Sequence, residues 1–333
     1  MAGIIISEAS ERVNALYGKV QAPIVSFLEK RAEAIDQGSI ANKIFKQVNS
    51  THWAEGYSGM SAMDDFEPTV ENGSYPNTGM EQTYEKVIQN YTFKNQFSIS
   101  QELMEDAQLG KITARPAQFM TAYERTRERF FARLLGAAVQ GQTKMKIKGT
   151  IFDASAADGK ALFSHQHKGK VSGETISNAF TNAFSKDVLI EMMTRMQNMH
   201  GDNGETLSLV PDTIIIPNTP QIKNEVFTLI GSEQVPGSGN NDYNWMFGNW
   251  NVIVWPYLND FIGAQSGAFI LMDSNYCQMN DVAIAQNRVP LTIRSELAEN
   301  DANVWKGRAR FGGGFVDFRG MMAGGLASGT TLA

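Results

Sequence analysis

The chain has 333 residues, 42% hydrophobic and 19% charged, with 29 Lys and Arg against 35 Asp and Glu for a net charge of −6. This size admits two domains or one large one with a sizeable core, and the acidic balance argues against a module that grips nucleic acid directly through phosphate contacts. No apolar run approaches the roughly 20 residues of a membrane-spanning helix. The opening MAGIIISEASERV has no basic region, so neither a signal peptide nor an anchor is expected. The single cysteine, Cys277, excludes an internal disulfide framework and suits folding in a reducing cytoplasm as a buried, inert thiol.

Residues 7–48 read as short helices: Val13, Leu16, Tyr17 and Val20 recur at helical spacing, Pro23 interrupts, and Ile24, Phe27, Leu28 and Ile35 resume the period until Gly38. Residues 51–82 are rich in Gly, Ser, Asn, Pro and acid, with a hairpin tip expected at 72–77. Residues 83–100 are strand-like; at about 3.3 Å per residue they would reach roughly 60 Å, longer than strands in compact domains. A long two-stranded arm with only its base in a core sheet is therefore predicted. The clearest helix spans 116–140, with Pro116 at its first position and Gly141 as its stop. Phe119, Tyr123, Phe130, Phe131, Leu134, Leu135 and Ala138 form its apolar stripe, with the charged residues largely off it.

Residues 141–180 are loop-rich, with turns at Asp158-Gly159 and Ser172-Gly173. A helix at 185–199, a buried strand at 213–217, a helix at 219–230, a Gly/Asn loop at 231–242 and strands at 250–258 and 267–273 then suggest a compact α/β unit. The remainder is β-rich: 289–297, then 304–310 and 315–318 flanking Gly312-Gly313-Gly314, which reads as a bulge or tight corner. The small-residue tail after Gly320 is expected to be mobile.

Charge is unevenly distributed. Residues 51–110 hold two lysines against ten acidic residues (2 − 10 = −8), whereas 111–150 hold nine Lys and Arg against two acidic residues (9 − 2 = +7). Adjacent blocks of opposite sign invite complementary contact, within a chain or between copies; two solvated faces are the alternative. Candidate chemistry is sparse. His165 and His167 have metal-ligand spacing, but only His52 and His200 remain as further histidines, and a zinc site wants three or four convergent ligands. Gly237-Ser238-Gly239 lacks the Lys-Ser/Thr of a phosphate loop, and no nucleophile–base arrangement is suggested by spacing. No catalytic residue, metal or cofactor is expected.

The order of these pieces resembles the Hong Kong 97-type phage capsid fold, an α+β architecture with N-arm, E-loop, spine-helix P-domain and A-domain. LFSHQHKGK (162–170), VPDTIIIPNTPQ (210–221), GSGNNDYNWMFGNWNVIVWPYL (237–258) and WKGRARFGGGFVDFRG (305–320) look more narrowly like Mu-type major head subunits, and QFSISQELMEDA (96–107) like the strand-to-helix step before the spine. The resemblance implies an N-arm at 1–55, an E-loop at 56–92, a first P-domain part at 93–180, an A-domain at 181–281, a closing P-domain β segment at 282–325 and a mobile tail at 326–333.

It further implies a non-enzymatic subunit that forms hexamers and pentamers in an icosahedral head around double-stranded DNA. The arm, through Glu67, Glu71, Tyr75, Pro76 and Glu81, would lie across a neighbour, facing a basic spine-helix face of Arg125, Arg127, Arg129 and Arg133. Gly237, Ser238, Gly239 and Asn240 would lie in an axial loop of the A-domain. Implied partners are further copies, a separate scaffolding protein, a portal at one vertex, decoration proteins and DNA held without sequence-specific contacts, in a virion assembled in the host bacterial cytoplasm. Some relatives crosslink through an arm lysine; here no lysine lies between Lys46 and Lys86, so that weld is not expected. The alternatives are an encapsulin-type nanocompartment shell with the same fold and, remotely, a metal-dependent enzyme using His165 and His167.

Overall fold

The computed structural model describes residues 38–60, 68–71, 73, 75, 82–100, 102, 109–170, 173–202, 204–234, 243–297 and 302–326. In chain order the first elements are α1 (Ala41–Ile44), β1 (Lys46–Asn49), β2 (Ala54–Met60), β3 (Gln82–Gln89), β4 (Tyr91–Ile99) and α2 (Leu109–Val139). Next come β5 (Lys144–Ile147), β6 (Thr150–Asp153), β7 (His167–Lys168), β8 (Thr175–Ile176), α3 (Lys186–Gln197), β9 (Thr213–Pro217), α4 (Pro220–Ile230) and β10 (Asn251–Trp255). A 3-10 turn (Pro256–Asp260), β11 (Phe269–Met272), α5 (Ser274–Met279), β12 (Ala283–Leu297), β13 (Asn303–Phe315) and β14 (Met321–Gly324) complete the order. Among the described residues, 38–39, 92–127 and 289–310 make a smaller compact unit, and 40–91, 128–288 and 311–326 a larger one.

The larger unit is built on a four-stranded sheet of order β10-β9-β11-β14. Its central strand β9, sequence TIIIP, is buried along its whole length, as a strand covered on both faces must be. β10 pairs with it in parallel and β11 in antiparallel register. Leu189, Met192 and Met196 of α3 and Ile222, Val226 and Ile230 of α4 pack against Ile214, Ile216, Phe269 and Leu271 in one apolar cluster. The α3 start is set by Ser185, whose hydroxyl accepts from the Val188 N–H at 3.2 Å, and Pro220 opens α4.

Several expectations need correction. Residues 321–324 are not a mobile tail but the buried edge strand β14, paired antiparallel with β11; the Phe269 ring lies where a side chain on Gly324 would be. Residues 46–49 are not helical: β1 runs parallel to β12, matching Lys46 to Ile284 and Asn49 to Asn287. The 83–100 stretch is not one strand. It breaks at Asn90, so that β3 pairs with β2 and β4 joins a sheet of order β1-β12-β13-β4, which shortens the arm. The long helix begins at Leu109 rather than Pro116, and Pro116 lies inside its 31 residues. A proline there removes one hydrogen bond without ending the helix. A hairpin turning at Lys148-Gly149, both with positive φ, joins β5 to β6 within a segment expected to be loop-rich.

The glycine triplet gives the most informative correction. Gly312, Gly313 and Gly314 form no corner; β13 runs straight through them. They are small because other groups occupy their side-chain space. A Cβ on Gly312 would run into the Gln89 carbonyl, and one on Gly313 would sit 2.6 Å from the Phe131 ring and 2.9 Å from the Ile284 carbonyl oxygen. Phe131 in turn packs on Phe45, with ring centroids 4.9 Å apart, and Phe45 on Phe315 at 5.8 Å. In the smaller unit, Phe97 stacks on Trp305 and tilts against Phe119, each at 5.1 Å.

Gly313→Ala is expected to lower stability by about 1–3 kcal/mol through overpacking, read from the denaturation midpoint. Gly267→Ala, where nothing lies within 4 Å of an added Cβ, should change little. Equal losses at both positions would contradict the close-approach explanation.

Candidate functional site

The hairpin arm is the feature that the chain positions most deliberately. β2 and β3 pair from Ala54↔Gln89 to Met60↔Gln82, with an irregularity between Ser58 and Met60. Three polar devices in the larger unit pin this base. The Glu55 carboxylate accepts from the Ser50 hydroxyl at 2.8 Å and from the Thr51 and His52 N–H groups at 2.9 and 3.0 Å. Those hydrogen bonds, led by the His52 N–H, pull its pKa from 4.5 down to about 2. The buried Asn90 donates to the Ser50 hydroxyl at 2.7 Å and the His52 carbonyl at 3.1 Å, so the β3–β4 break is locked to the entry of β2.

The second device is the Gln286 amide, which donates to the Tyr57 hydroxyl at 2.8 Å. The third is Lys86, an ammonium only 7% exposed, which donates to Asp153 at 2.6 Å and to the Ser155 hydroxyl at 2.8 Å. Burial raises the Asp153 carboxyl, but the Lys86 and Ser155 hydrogen bonds outweigh it and the net shift is downward. Sequence reading treated Lys86 only as one of two charges diluting an acidic block.

Of the arm residues proposed to meet a neighbour, Glu71 lies exposed in a turn where the Gly73 N–H donates to the Val70 carbonyl at 2.8 Å. Tyr75 is 97% exposed and Val70 82%. Glu67, Pro76 and Glu81 lie outside the described residues, as do Gly237, Ser238, Gly239 and Asn240 of the proposed axial loop, residues 1–37 of the proposed N-arm and residues 327–333 of the proposed tail. Beside the axial loop, Tyr243, Trp245 and Phe247 are exposed aromatics that sequence reading did not single out.

The four spine-helix arginines do not form one free basic face. Arg125 is exposed, but Arg127 is buried, on another side of the helix. Arg129 binds Asp260 at 3.0 Å, and Arg133 donates to the Lys146 carbonyl at 2.6 Å with its guanidinium 4.6 Å from the centre of the Phe261 ring. Gly136 completes this clasp, since a Cβ there would meet Phe261 at 2.6 Å. Glu128, also taken for a surface charge, is buried and accepts from the Trp255 indole N–H at 3.0 Å and the Ala41 N–H at 3.4 Å. The helical period hid Glu128 because its partners, Trp255 and Ala41, lie far from it in sequence.

The two spaced histidines diverge. His167 is fully buried, with Nδ1 2.6 Å from Asp158, Nε2 3.1 Å from the Leu162 carbonyl and its ring stacked 4.0 Å from Phe318. His165 is exposed and meets the Ser177 hydroxyl. Among the described residues no group of three His, Cys, Asp or Glu side chains could hold a metal. Cys277 is buried, its thiol directed at the Gly320 carbonyl, and burial raises its pKa. A further buried ionic centre joins Arg319 to Asp202 at 3.0 Å and Asp317 at 3.2 Å, tying the segment after β13 to the loop after α3.

A family model described as phage capsid protein matches residues 83–323. No curated protein matches the chain. Among solved structures, the fold is similar to one titled for Mycobacterium phage Patience, at 11% identity, 96% coverage of this chain, 89% of that chain and a TM-score of 0.50. It is similar also to the capsid structure of the cyanophage P-SCSP1u, at 9% identity, 87% and 88% coverage and a TM-score of 0.50. Identities this low speak to fold alone.

Removing the Asp153 carboxylate strands a buried ammonium, so Asp153→Ala should cost about 1–2 kcal/mol, below the roughly 3–5 of a fully buried pair because Asp153 is partly exposed. Lys86→Met, an apolar side chain of similar length, should cost less. Chemical denaturation of both variants checks the order; a larger loss for Lys86→Met would show that Asp153 is not what stabilises the ammonium.

Proposed function

The chain belongs to the phage capsid protein family and has the mixed helix-and-strand fold of Hong Kong 97-type capsid proteins, and on that premise we propose that it assembles as hexamers and pentamers into an icosahedral head around double-stranded DNA. It is a major capsid protein, a structural component of the virion shell. The observation that carries the finer reading is the match over residues 83–323, which runs from the returning strand of the arm through the long helix and the α/β unit to β14. The arm supports it physically. Three sets of buried or shared hydrogen bonds fix its base, while Val70 and Tyr75 extend into solvent without cover from the described residues. A lone hairpin is marginal in water and gains stability from a partner surface, and a neighbouring copy supplies one.

The same reading takes the A-domain as 181–281, the first P-domain part as 93–180 and the E-loop as 56–92, and includes a separate scaffolding protein, a portal vertex, decoration proteins and assembly in the host cytoplasm. The Mu-type relationship belongs to this proposal too and rests on the four segments quoted above.

Expression of the full chain with its scaffolding protein, followed by electron microscopy of the sedimented fraction, tests the assembly reading. Closed shells of uniform diameter are expected. A chain that stays monomeric, or forms only open aggregates, would overturn it.

A further inference from the structure

We propose that the outer sheet face of the smaller unit is a sequence-independent binding site for the phosphate backbone of double-stranded DNA, and hence that this face looks into the shell. The inference rests on the reading that the shell encloses DNA, and it starts from a charge pattern that the net −6 conceals.

The strand order β12-β13-β4 puts β13 in the middle. Along β13, Trp305, Gly307 and Ala309 are buried while Lys306 and Arg308 are exposed, so the strand alternation sends the cations to one face. Lys94 and Gln96 of β4 and Thr292 and Arg294 of β12 join them around a groove of about 630 Å³, with Val289, Asn95 and Gly307 completing its wall. Four cations line it and no acidic side chain does. Glu296 nearby pairs with Lys306. Among the described residues no carboxylate forms an ion pair with Lys94, Arg294 or Arg308.

Spacing suits a polyanion. Alternate residues on a strand stand about 6.6 Å apart and neighbouring strands about 4.8 Å, while each DNA strand presents one phosphate per about 3.4 Å of helix axis. The three cations without an ion pair among the described residues can each meet a phosphate on that lattice, two of them arginines whose planar fork suits phosphate oxygens.

The alternative anion is the acidic arm of a second copy, which carries Asp64, Asp65, Glu67, Glu71 and Glu81. That segment also carries Met63, Phe66, Val70, Tyr75 and Met80, which need an apolar bed. A groove whose one large apolar side chain is Val289 offers none, whereas a hydrated phosphate backbone requires none.

Fluorescence anisotropy of the full chain with a short duplex of random sequence tests the site. For three phosphates the affinity should fall about forty-fold between about 50 and 200 mM salt. The triple variant Lys94→Gln, Arg294→Gln, Arg308→Gln should lose this salt-dependent binding, and Arg294→Lys with Arg308→Lys should keep it. Lys144→Gln, Lys146→Gln, Lys148→Gln, which removes the same charge from the exposed lysines of the β5–β6 hairpin, should also keep it. Wild-type binding by the groove triple, equal loss in the lysine control, or no binding by the unaltered chain would each overturn the proposal. So would a peptide of residues 61–81 that binds more tightly than the duplex and is lost in the groove triple, because the groove would then belong to a neighbour's arm. Shell formation by the groove triple is read separately by microscopy and is expected to be unchanged, so failure here leaves the assembly reading standing.

Discussion

The ring of Phe131 lies against bare backbone at Gly313, and much of the larger unit depends on that approach. At the same place Gly312 admits the Gln89 carbonyl and Gly314 meets the Ile88 side chain. The last turns of the long helix, the end of β3 and the far half of β13 are therefore fixed against one another where there is no room for a Cβ. Phe45, Phe130 and Phe311 pack on Phe131, and Phe315 packs on Phe45. Interiors packed to crystal density transmit displacement rather than absorb it, so the strand that begins the arm's return inherits the rigidity of this core.

That rigidity matters for a subunit whose work is to hold neighbours. The base of the arm is tied by Glu55 and Asn90, by Tyr57 with Gln286, and by Lys86 with Asp153. The third of these places the arm's first lysine under cover, where it neutralises a carboxylate within the chain. The arm is thus held at its root by buried polar contacts, while Val70 and Tyr75, among its described residues, stand exposed. The charge asymmetry seen along the sequence survives in altered form. Arg129 and Arg133 of the helix are engaged within their own chain while Arg125 stays exposed, and a second positive surface lies on the sheet of the smaller unit.

Much of the architecture was legible because its causes are local. The TIIIP run, the Ser185 cap, Pro220 at a helix start and the long apolar stripe each state their structure within a few residues. What escaped depends on contacts distant in sequence. Lys46–Asn49 has no strand signature until Ile284–Asn287 lies beside it. Three consecutive glycines look like a corner unless Phe131 and Gln89 are known to press on them. Arg127 and Glu128 read as surface charges because burial comes from other elements, and Trp255, 127 residues away, supplies the partner for Glu128. The candidate site was less legible than the fold. The arm's three anchors did not follow from composition, and of the helix arginines assigned to meet the arm, Arg129 and Arg133 have partners within the chain while Arg125 stays exposed.

The central claim is that this chain forms the repeating wall of a phage head. A cryo-electron microscopy reconstruction of particles purified from the host tests it most directly. The chain should be traceable in every position of the icosahedral lattice, at five-fold and quasi-six-fold sites alike, with the arm of each copy lying on a neighbour. A lattice built from another protein, with this chain absent or confined to one vertex, would contradict the claim.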